Sequence, residues 1–168
     1  DVLNQLHMLE AGQLQQARQS QFQNLVIEVV DNEELPVKDR ILGIRVLARF
    51  GGRSVVEALS RQIEVISDAP SVAIGREAAK ALAKLGAREA LGRAVSSPDP
   101  EIRASAAGAS ANSHELCGLL AKDPWPHVRV AAARGLADRP RYAACLAAGL
   151  RDRNRAVLLA SAEAAAHT

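Results

Sequence analysis

Residues 45–53, RVLARFGGR, are matched 35 residues later by residues 80–88, KALAKLGAR. The two segments agree in chemical type at every position, and each places Gly directly after an apolar helical pattern. Gly in that place commonly ends a helix in the left-handed conformation. A pattern that returns at a fixed interval indicates a repeat protein, in which small units stack in a row.

The same unit continues downstream behind a second landmark, a turn that contains Asp and usually Pro. Asp accepts the free N–H groups at a helix start, and Pro is tolerated in the first helical turn. Apolar residues then recur at i, i+4, i+8 and i+11, which is one helix face. The equivalent positions, spaced by 28, 26 and 29 residues, are Ile74, Ile102, Val128 and Val157. This spacing predicts one helix pair per repeat.

The chain is predicted to form one domain over residues 1–168. The second, longer helix of each pair is expected at 37–50, 71–85, 100–112, 126–137 and 154–167. The first, shorter helices are expected at 55–66, 89–96, 114–121 and 141–150. Residues 1–34 are expected to form an irregular N-terminal cap of two helices interrupted near Gly12, before regular repeats over 35–168. The start at Asp1 without Met suggests a fragment or a processed chain.

Composition points to an all-helical fold. Hydrophobic residues make up 48% of the chain but aromatics only 2%, so the core consists of Ala, Leu, Val and Ile. Ala and Leu have high helix propensity, whereas strands favour β-branched and aromatic residues. No apolar run reaches the roughly 20 residues of a membrane span. Residues 1–37 hold six acids and one base, which leaves a basic remainder that suggests an oriented charged surface.

The segment from Asp123 to Leu136 resembles the HEAT repeat, specifically the short bacterial type also found in phycobilisome-lyase-like proteins. The shared features are an Asp-Pro turn, then Val-Arg, then an Ala-rich helix, and they extend over roughly residues 35–167. The resemblance implies a right-handed α-solenoid of about five HEAT-like helix pairs. It also implies a ladder in which Arg side chains contact turn aspartates of neighbouring units. The ladder residues are Asp99, Arg103, Asp123, Arg129 and Asp152, and the ladder should be weaker where Gly75 and Leu158 replace Arg.

No complete catalytic or metal-binding motif is present. The four histidines are scattered, and no pair has the H-x-x-x-H spacing of a metal site. A HEAT-repeat hydroxylase uses several His-Glu pairs for a di-iron centre, and this chain has only His114-Glu115. We therefore expect no catalytic residues, no metal and no cofactor. Bilin-lyase-like enzyme or chaperone activity is the alternative suggested by the resemblance.

A protein-binding scaffold is the favoured function, with a protein or peptide partner, acidic in character, on the concave face of the second helices. The aligned exposed columns are Arg45, Lys80, Gly108, Arg134 and Glu163, then Arg49, Lys84, Asn112, Asp138 and His167. The basic members would supply charge, with Trp125 as an apolar anchor and Tyr142 beside it. Nucleic-acid binding is a second alternative, disfavoured because no aromatics accompany the basic stripe. The Ala-rich C-terminal helix is a further candidate contact.

The compartment depends on two cysteines, Cys117 and Cys145, which lie one repeat length apart. Two small buried hydrophobes are the favoured interpretation, in a cytoplasmic protein. A disulfide between adjacent helices is the alternative, and it would indicate a periplasmic or extracellular location.

Overall fold

The computed structural model describes residues 2–64, 66–110 and 112–167, with side chains from residue 15 onward. The regular secondary structure in these ranges is entirely helical, with no strand. Ten α-helices occur in them, numbered in chain order, with short 3-10 segments at Arg93–Ser96 and Pro140–Tyr142. The helices are α1 (Val2–Asp31), α2 (Val37–Leu47), α3 (Arg53–Glu64), α4 (Ala69–Lys84), α5 (Arg88–Gly92), α6 (Pro100–Ala109), α7 (Ser113–Lys122), α8 (Pro126–Gly135), α9 (Ala143–Gly149) and α10 (Arg155–Ala166).

Each odd-numbered helix packs against the even-numbered helix that follows it. We call the odd-numbered members first helices and the even-numbered members second helices. The second helices also pack against one another in order, α2 on α4, α4 on α6, α6 on α8 and α8 on α10. Neighbours in the chain are therefore neighbours in space, as in stacked repeats.

The core confirms the predicted register. Ile74, Ile102, Val128 and Val157 are at most 1% exposed, and each lies near the start of a second helix. One turn later, the small residues Ala78, Ala106, Ala132 and Ser161 are fully buried. Two apolar clusters meet at α6, which contributes Ala106 to one and Ala107 to the other.

The helix boundaries have identifiable causes. Asp99 caps α6 by accepting the N–H groups of Glu101 and Ile102, with Pro100 as the first helical residue. Gly51 and Gly86 adopt positive φ angles of 71° and 68° after α2 and α4, which confirms the predicted left-handed helix ends. The second helices stop up to three residues before the predicted ends, because the last turn loosens into these caps.

One expectation about the helices was wrong. Helix α1 runs unbroken from Val2 to Asp31, although an interruption was expected near Gly12. A glycine inside a helix costs only about 1 kcal/mol, which does not by itself stop a long helix. The apolar side chains expected to mark the first of two helices, residues 2–14, lie outside the described side chains. The first helix expected at 89–96 is present, as the α-helix α5 to Gly92 and then as the 3-10 segment to Ser96.

A disulfide joins the adjacent first helices α7 and α9. It links Cys117 and Cys145, whose Cα atoms lie 5.4 Å apart, and both residues are half-buried. The expectation of two unbridged buried thiols is therefore corrected, since the 28-residue interval places the cysteines at equivalent positions in consecutive units. Within the described residues, no helix is both long and apolar enough to cross a membrane.

Candidate partner-binding surfaces

The second helices expose the two columns of side chains expected from the repeat alignment. Every member of both columns is exposed. The periodicity explains this, because each column lies between positions that face the core. In α4, for example, Lys80 is exposed between Ala79 and Ala81, which are buried.

Three basic residues at the C-terminal ends of α2 and α4 form what we call the basic cluster. They are Arg49, Lys80 and Lys84, all exposed. Helices α2 and α4 pack side by side, and their ends are aligned, because a Cβ at Gly51 would touch Leu85 at 3.5 Å. Within the described chain, no side chain forms an ion pair or hydrogen bond with any of the three. Their charges are therefore available to a partner.

Arg45, predicted to be part of the same binding surface, has its charge balanced. Its Nε donates a 2.7 Å hydrogen bond to Glu77 of α4. The hydrogen bond and the charge of Glu77 raise the pKa of Arg45. This pair links two consecutive second helices across an exposed surface, so Arg45 adds less to the attraction of an acidic partner than the basic cluster does.

An aromatic pair borders the basic cluster. Phe22 of α1 and Phe50, the residue after Arg49, meet edge to face with ring centroids 5.6 Å apart. The rings remain 47% and 37% exposed. This pair was not predicted from the sequence, because it depends on how α1 crosses α2.

Trp125 lies apart from the basic cluster, in the turn before α8. It is 51% exposed, and its backbone N–H donates to the carboxylate of Asp123. Its ring centroid lies 5.9 Å from that of His127. Arg134 follows nine residues later, about 13 Å along the helix. Trp125 thus lies at the N-terminal ends of the second helices, whereas the basic cluster lies at their C-terminal ends.

Tyr142 lies near the opposite end of α8 from Trp125, because the chain reaches it only after α8 has ended at Gly135. Its ring is half-buried against the second apolar cluster and faces His114 at 6.5 Å. The structure therefore does not bring Trp125 and Tyr142 to one rim, as the sequence analysis expected.

The Arg–Asp contacts run from a second helix to the turn that precedes the next second helix. Arg103 donates to both carboxylate oxygens of Asp123, at 2.8 and 3.2 Å. Arg129 does the same with Asp152, at 2.7 and 3.0 Å. Each arginine also donates to backbone carbonyls of the turn before its own helix, so one side chain connects two consecutive turns.

Two further arginine side chains that connect consecutive helix pairs were not predicted. Arg76 donates to both oxygens of Asp99, from the position after Gly75. Arg40 donates to the carbonyl of Val30 and to Gln62, and so connects the first two helix pairs through α3. The arginine is thus displaced by one residue at Gly75, and the expected weakening there does not occur.

The ladder aspartates stay ionised well into acid. Burial raises the pKa of Asp99, but hydrogen bonds from Arg76 and from backbone N–H groups outweigh it and lower the pKa overall. Asp123 has the same balance, with Arg103 as the main stabilising partner. The hydrogen bond from Arg129 is the largest influence on Asp152 and lowers its pKa.

In the part of the chain that the structure describes, no three His, Cys, Asp or Glu side chains converge as metal ligands. Comparison with known proteins gives no match to any protein-family model and none to a curated protein.

Proposed function

We propose that this chain is a non-catalytic scaffold that binds an acidic protein or peptide through the basic cluster. In this proposal the helix pairs form a right-handed solenoid of about five HEAT-like units, and the second helices line its concave face. The stacked second helices and the Arg–Asp links between consecutive turns support that assignment. Repeat surfaces of this kind commonly bind extended partners.

The observation that carries the proposal is a group of exposed cations without partners in the described chain, held on two packed helices. Arg49, Lys80 and Lys84 are spaced by the repeat itself, so their separation is fixed before a partner arrives. Fixed like charges attract carboxylates and accelerate association. Because exposed ion pairs each contribute only about 0–1 kcal/mol, the adjacent Phe22 and Phe50 rings would supply the apolar contact.

Trp125 remains in the proposal as a separate anchor. From α4 to α8 the distance across the stack is two interhelix spacings of about 9 Å each, and Trp125 is displaced a further distance of about 13 Å along the helix axis. These two perpendicular distances place Trp125 roughly 22 Å from the basic cluster. Only an extended segment of about seven residues spans that distance. A short peptide would therefore contact the basic cluster alone.

We also infer that the protein works in an oxidising compartment. The disulfide between Cys117 and Cys145 supports this inference, because such bonds persist in periplasmic and extracellular proteins and are rare in the cytosol. Finding both thiols free in protein isolated from its native cells with rapid alkylation would contradict it.

The binding proposal can be tested with an array of synthetic acidic peptides that contain one Phe or Leu, followed by anisotropy titration of the best binder. The Lys80→Glu/Lys84→Glu variant should weaken that peptide's affinity at least about tenfold. The charge-matched control Arg151→Glu/Arg153→Glu, on a different edge of the stack, should leave it unchanged.

Equal weakening by both variants would show a general charge effect and would contradict the basic cluster as the site. Tighter binding of a random-sequence DNA duplex than of any acidic peptide, with a steep salt dependence, would favour the nucleic-acid alternative instead. Trp125→Ala should affect only peptides longer than about seven residues.

A further inference from the structure

The two ends of the helix stack expose positions that are covered everywhere else. Ala79, Ala107 and Ala133 are equivalent residues of α4, α6 and α8, and all three are fully buried. Their equivalent in α10 is Ala162, which is exposed. Because the three buried alanines belong to helices that are each followed by another second helix, Ala162 marks the surface where the next one would pack.

Exposed apolar side chains accompany Ala162 at this end of the stack, which we call the C-terminal end face, and Leu158 and Leu159 lie one helical turn before it in α10. Leu158 occupies the position from which Arg103 and Arg129 reach the next turn, and it is 37% exposed. Leu159 and Leu150 are 48% and 41% exposed. The ladder position at this end is thus apolar, which suits burial against another surface rather than contact with water.

The opposite, N-terminal end face is apolar as well. Leu42 of α2 is the equivalent of Glu77 in α4, which contacts the preceding second helix through Arg45. Since α2 is the first of the second helices, no second helix precedes it among the described residues, and Leu42 is 60% exposed. Leu25 of α1 is 61% exposed. It lies about 120° around its helix from Asp31, which faces α3, so Leu25 is on a side of α1 that does not face α3.

The turns at the two ends carry opposite charges. The turn between α1 and α2 exposes Glu33 and Glu34, and the turn between α9 and α10 exposes Arg151 and Arg153, followed by Arg155. These side chains have no ion-pair or hydrogen-bond partner within the described residues. Consecutive turns lie beside each other in the stack, as the contact from Arg129 to Asp152 shows. A continuation of the stack would therefore place the acidic turn next to the basic one.

We propose that the chain self-associates head to tail, with the C-terminal end face of one copy packed on the N-terminal end face of the next. Leu158, Leu159 and Ala162 would cover Leu25 and Leu42, in the way that consecutive second helices cover each other inside the stack. The arginine turn would pair with Glu33 and Glu34. A contact between two different surfaces leaves a free face at each end of a dimer, so association continues beyond two copies, into an open chain or a closed ring. This inference goes beyond the proposed binding function, which uses a different face.

Sedimentation velocity on the 168-residue protein tests the proposal over roughly 10 μM to 1 mM, a range suited to a weak interface. The sedimentation coefficient should rise with concentration and not level off at the dimer. Leu42→Glu and Leu158→Glu should each weaken association at least about 30-fold, because each buries an unpaired charge. Arg134→Glu, an exposed change inside the stack, should have no effect, and circular dichroism checks that every variant is folded.

Mixing the two end variants gives the decisive result. Leu42→Glu retains an intact C-terminal face and Leu158→Glu an intact N-terminal face, so an equal mixture should form a dimer and nothing larger. Reversing the turn charges offers a second arm that leaves the apolar faces intact. Glu33→Arg/Glu34→Arg should weaken association, and adding Arg151→Glu/Arg153→Glu to the same chain should restore it.

A wild-type protein that stays monomeric over the whole range would overturn the proposal, and the end faces would then serve a different partner. A mixture of the two end variants that stays monomeric would also overturn it, because a head-to-tail contact requires their intact faces to meet.

Discussion

Arg76 donates three hydrogen bonds to Asp99, although it lies one residue beyond the helix position from which Arg103 and Arg129 make the corresponding contacts. The displacement has a steric cause. A Cβ at Gly75 would lie 3.1 Å from the carbonyl oxygen of Gln62, so α3 and α4 would have to move apart by a few tenths of an ångström to admit a side chain there. The long arginine side chain reaches the same aspartate from the next position.

We expect the ladder to contribute substantially to stability, and Arg103→Lys should show it. Lysine cannot reproduce the two-pronged contact with Asp123 together with the bond to the carbonyl of Ser97. The free energy of unfolding should fall by about 1.5–3 kcal/mol, since these bonds involve charged groups in a largely buried pair. Urea denaturation measures the change.

Arg45→Lys is the matched control for this substitution. Arg45 also pairs with a carboxylate on the neighbouring helix, but its side chain is 64% exposed. Exposed pairs contribute about 0–1 kcal/mol, so the control should change stability only slightly. Equal losses in Arg103→Lys and Arg45→Lys would contradict a special role for the ladder.

The ladder also predicts acid sensitivity. The pKa values of Asp99, Asp123 and Asp152 are lowered in the folded protein. Their contribution to stability is therefore fully present above the ordinary aspartate pKa of about 3.9, and it is lost as pH falls through the lower folded-state values. We expect stability to decline steeply below about pH 4.

The Asp123→Asn variant isolates one ladder link in this pH dependence. It should be about 2 kcal/mol less stable than wild type at pH 7, because Arg103 loses its charged partner. The difference should shrink as pH falls from about 4 through the lower folded-state pKa of Asp123, because the wild-type carboxylate then becomes protonated as well. Urea midpoints across the pH range measure both curves, and a constant gap down to pH 2 would rule this explanation out.

Periodicity alone was enough to predict the second helices. Ile74, Ile102, Val128 and Val157 lie in matching buried sites because a repeated 3.6-residue pattern leaves one face for the core. The same periodicity placed Lys80 and Lys84 on the exposed face. These features are local, so the sequence expresses them directly.

Features that depend on how helices meet were not predictable. Glu77 lies opposite Arg45, and Phe22 opposite Phe50, only because of the offset between neighbouring helices. The spacing of Cys117 and Cys145 allowed both a disulfide and two buried thiols. Their separation in space is set by the packing of α7 on α9, which periodicity does not specify.

The disulfide should stabilise the C-terminal helix pairs. Closing a loop between residues 28 positions apart lowers the entropy of the unfolded chain, which stabilises the folded state by about 3.5 kcal/mol. We expect Cys117→Ser/Cys145→Ser to unfold at lower urea than the oxidised wild type. Adding reductant should bring wild type close to the variant and leave the variant unchanged. A reductant effect of equal size on both proteins would show that the loss does not come from this bond.

Glycine substitutions should separate close helix packing from helix propensity. A Cβ at Gly135 would lie 2.6 Å from the carbonyl oxygen of Ala107, where α8 approaches α6, so Gly135→Ala must push the two helices apart. Overpacking of this kind costs about 1–3 kcal/mol.

At Gly118, inside α7, an added Cβ meets no described atom within 4 Å, and Gly118→Ala should stabilise the protein by about 0.5–1 kcal/mol. The two variants differ from wild type by the same methyl group, so thermal unfolding should show shifts of opposite sign. A stabilising shift for Gly135→Ala would contradict the close approach of α8 to α6, and a destabilising shift for Gly118→Ala would contradict the open space beside Gly118.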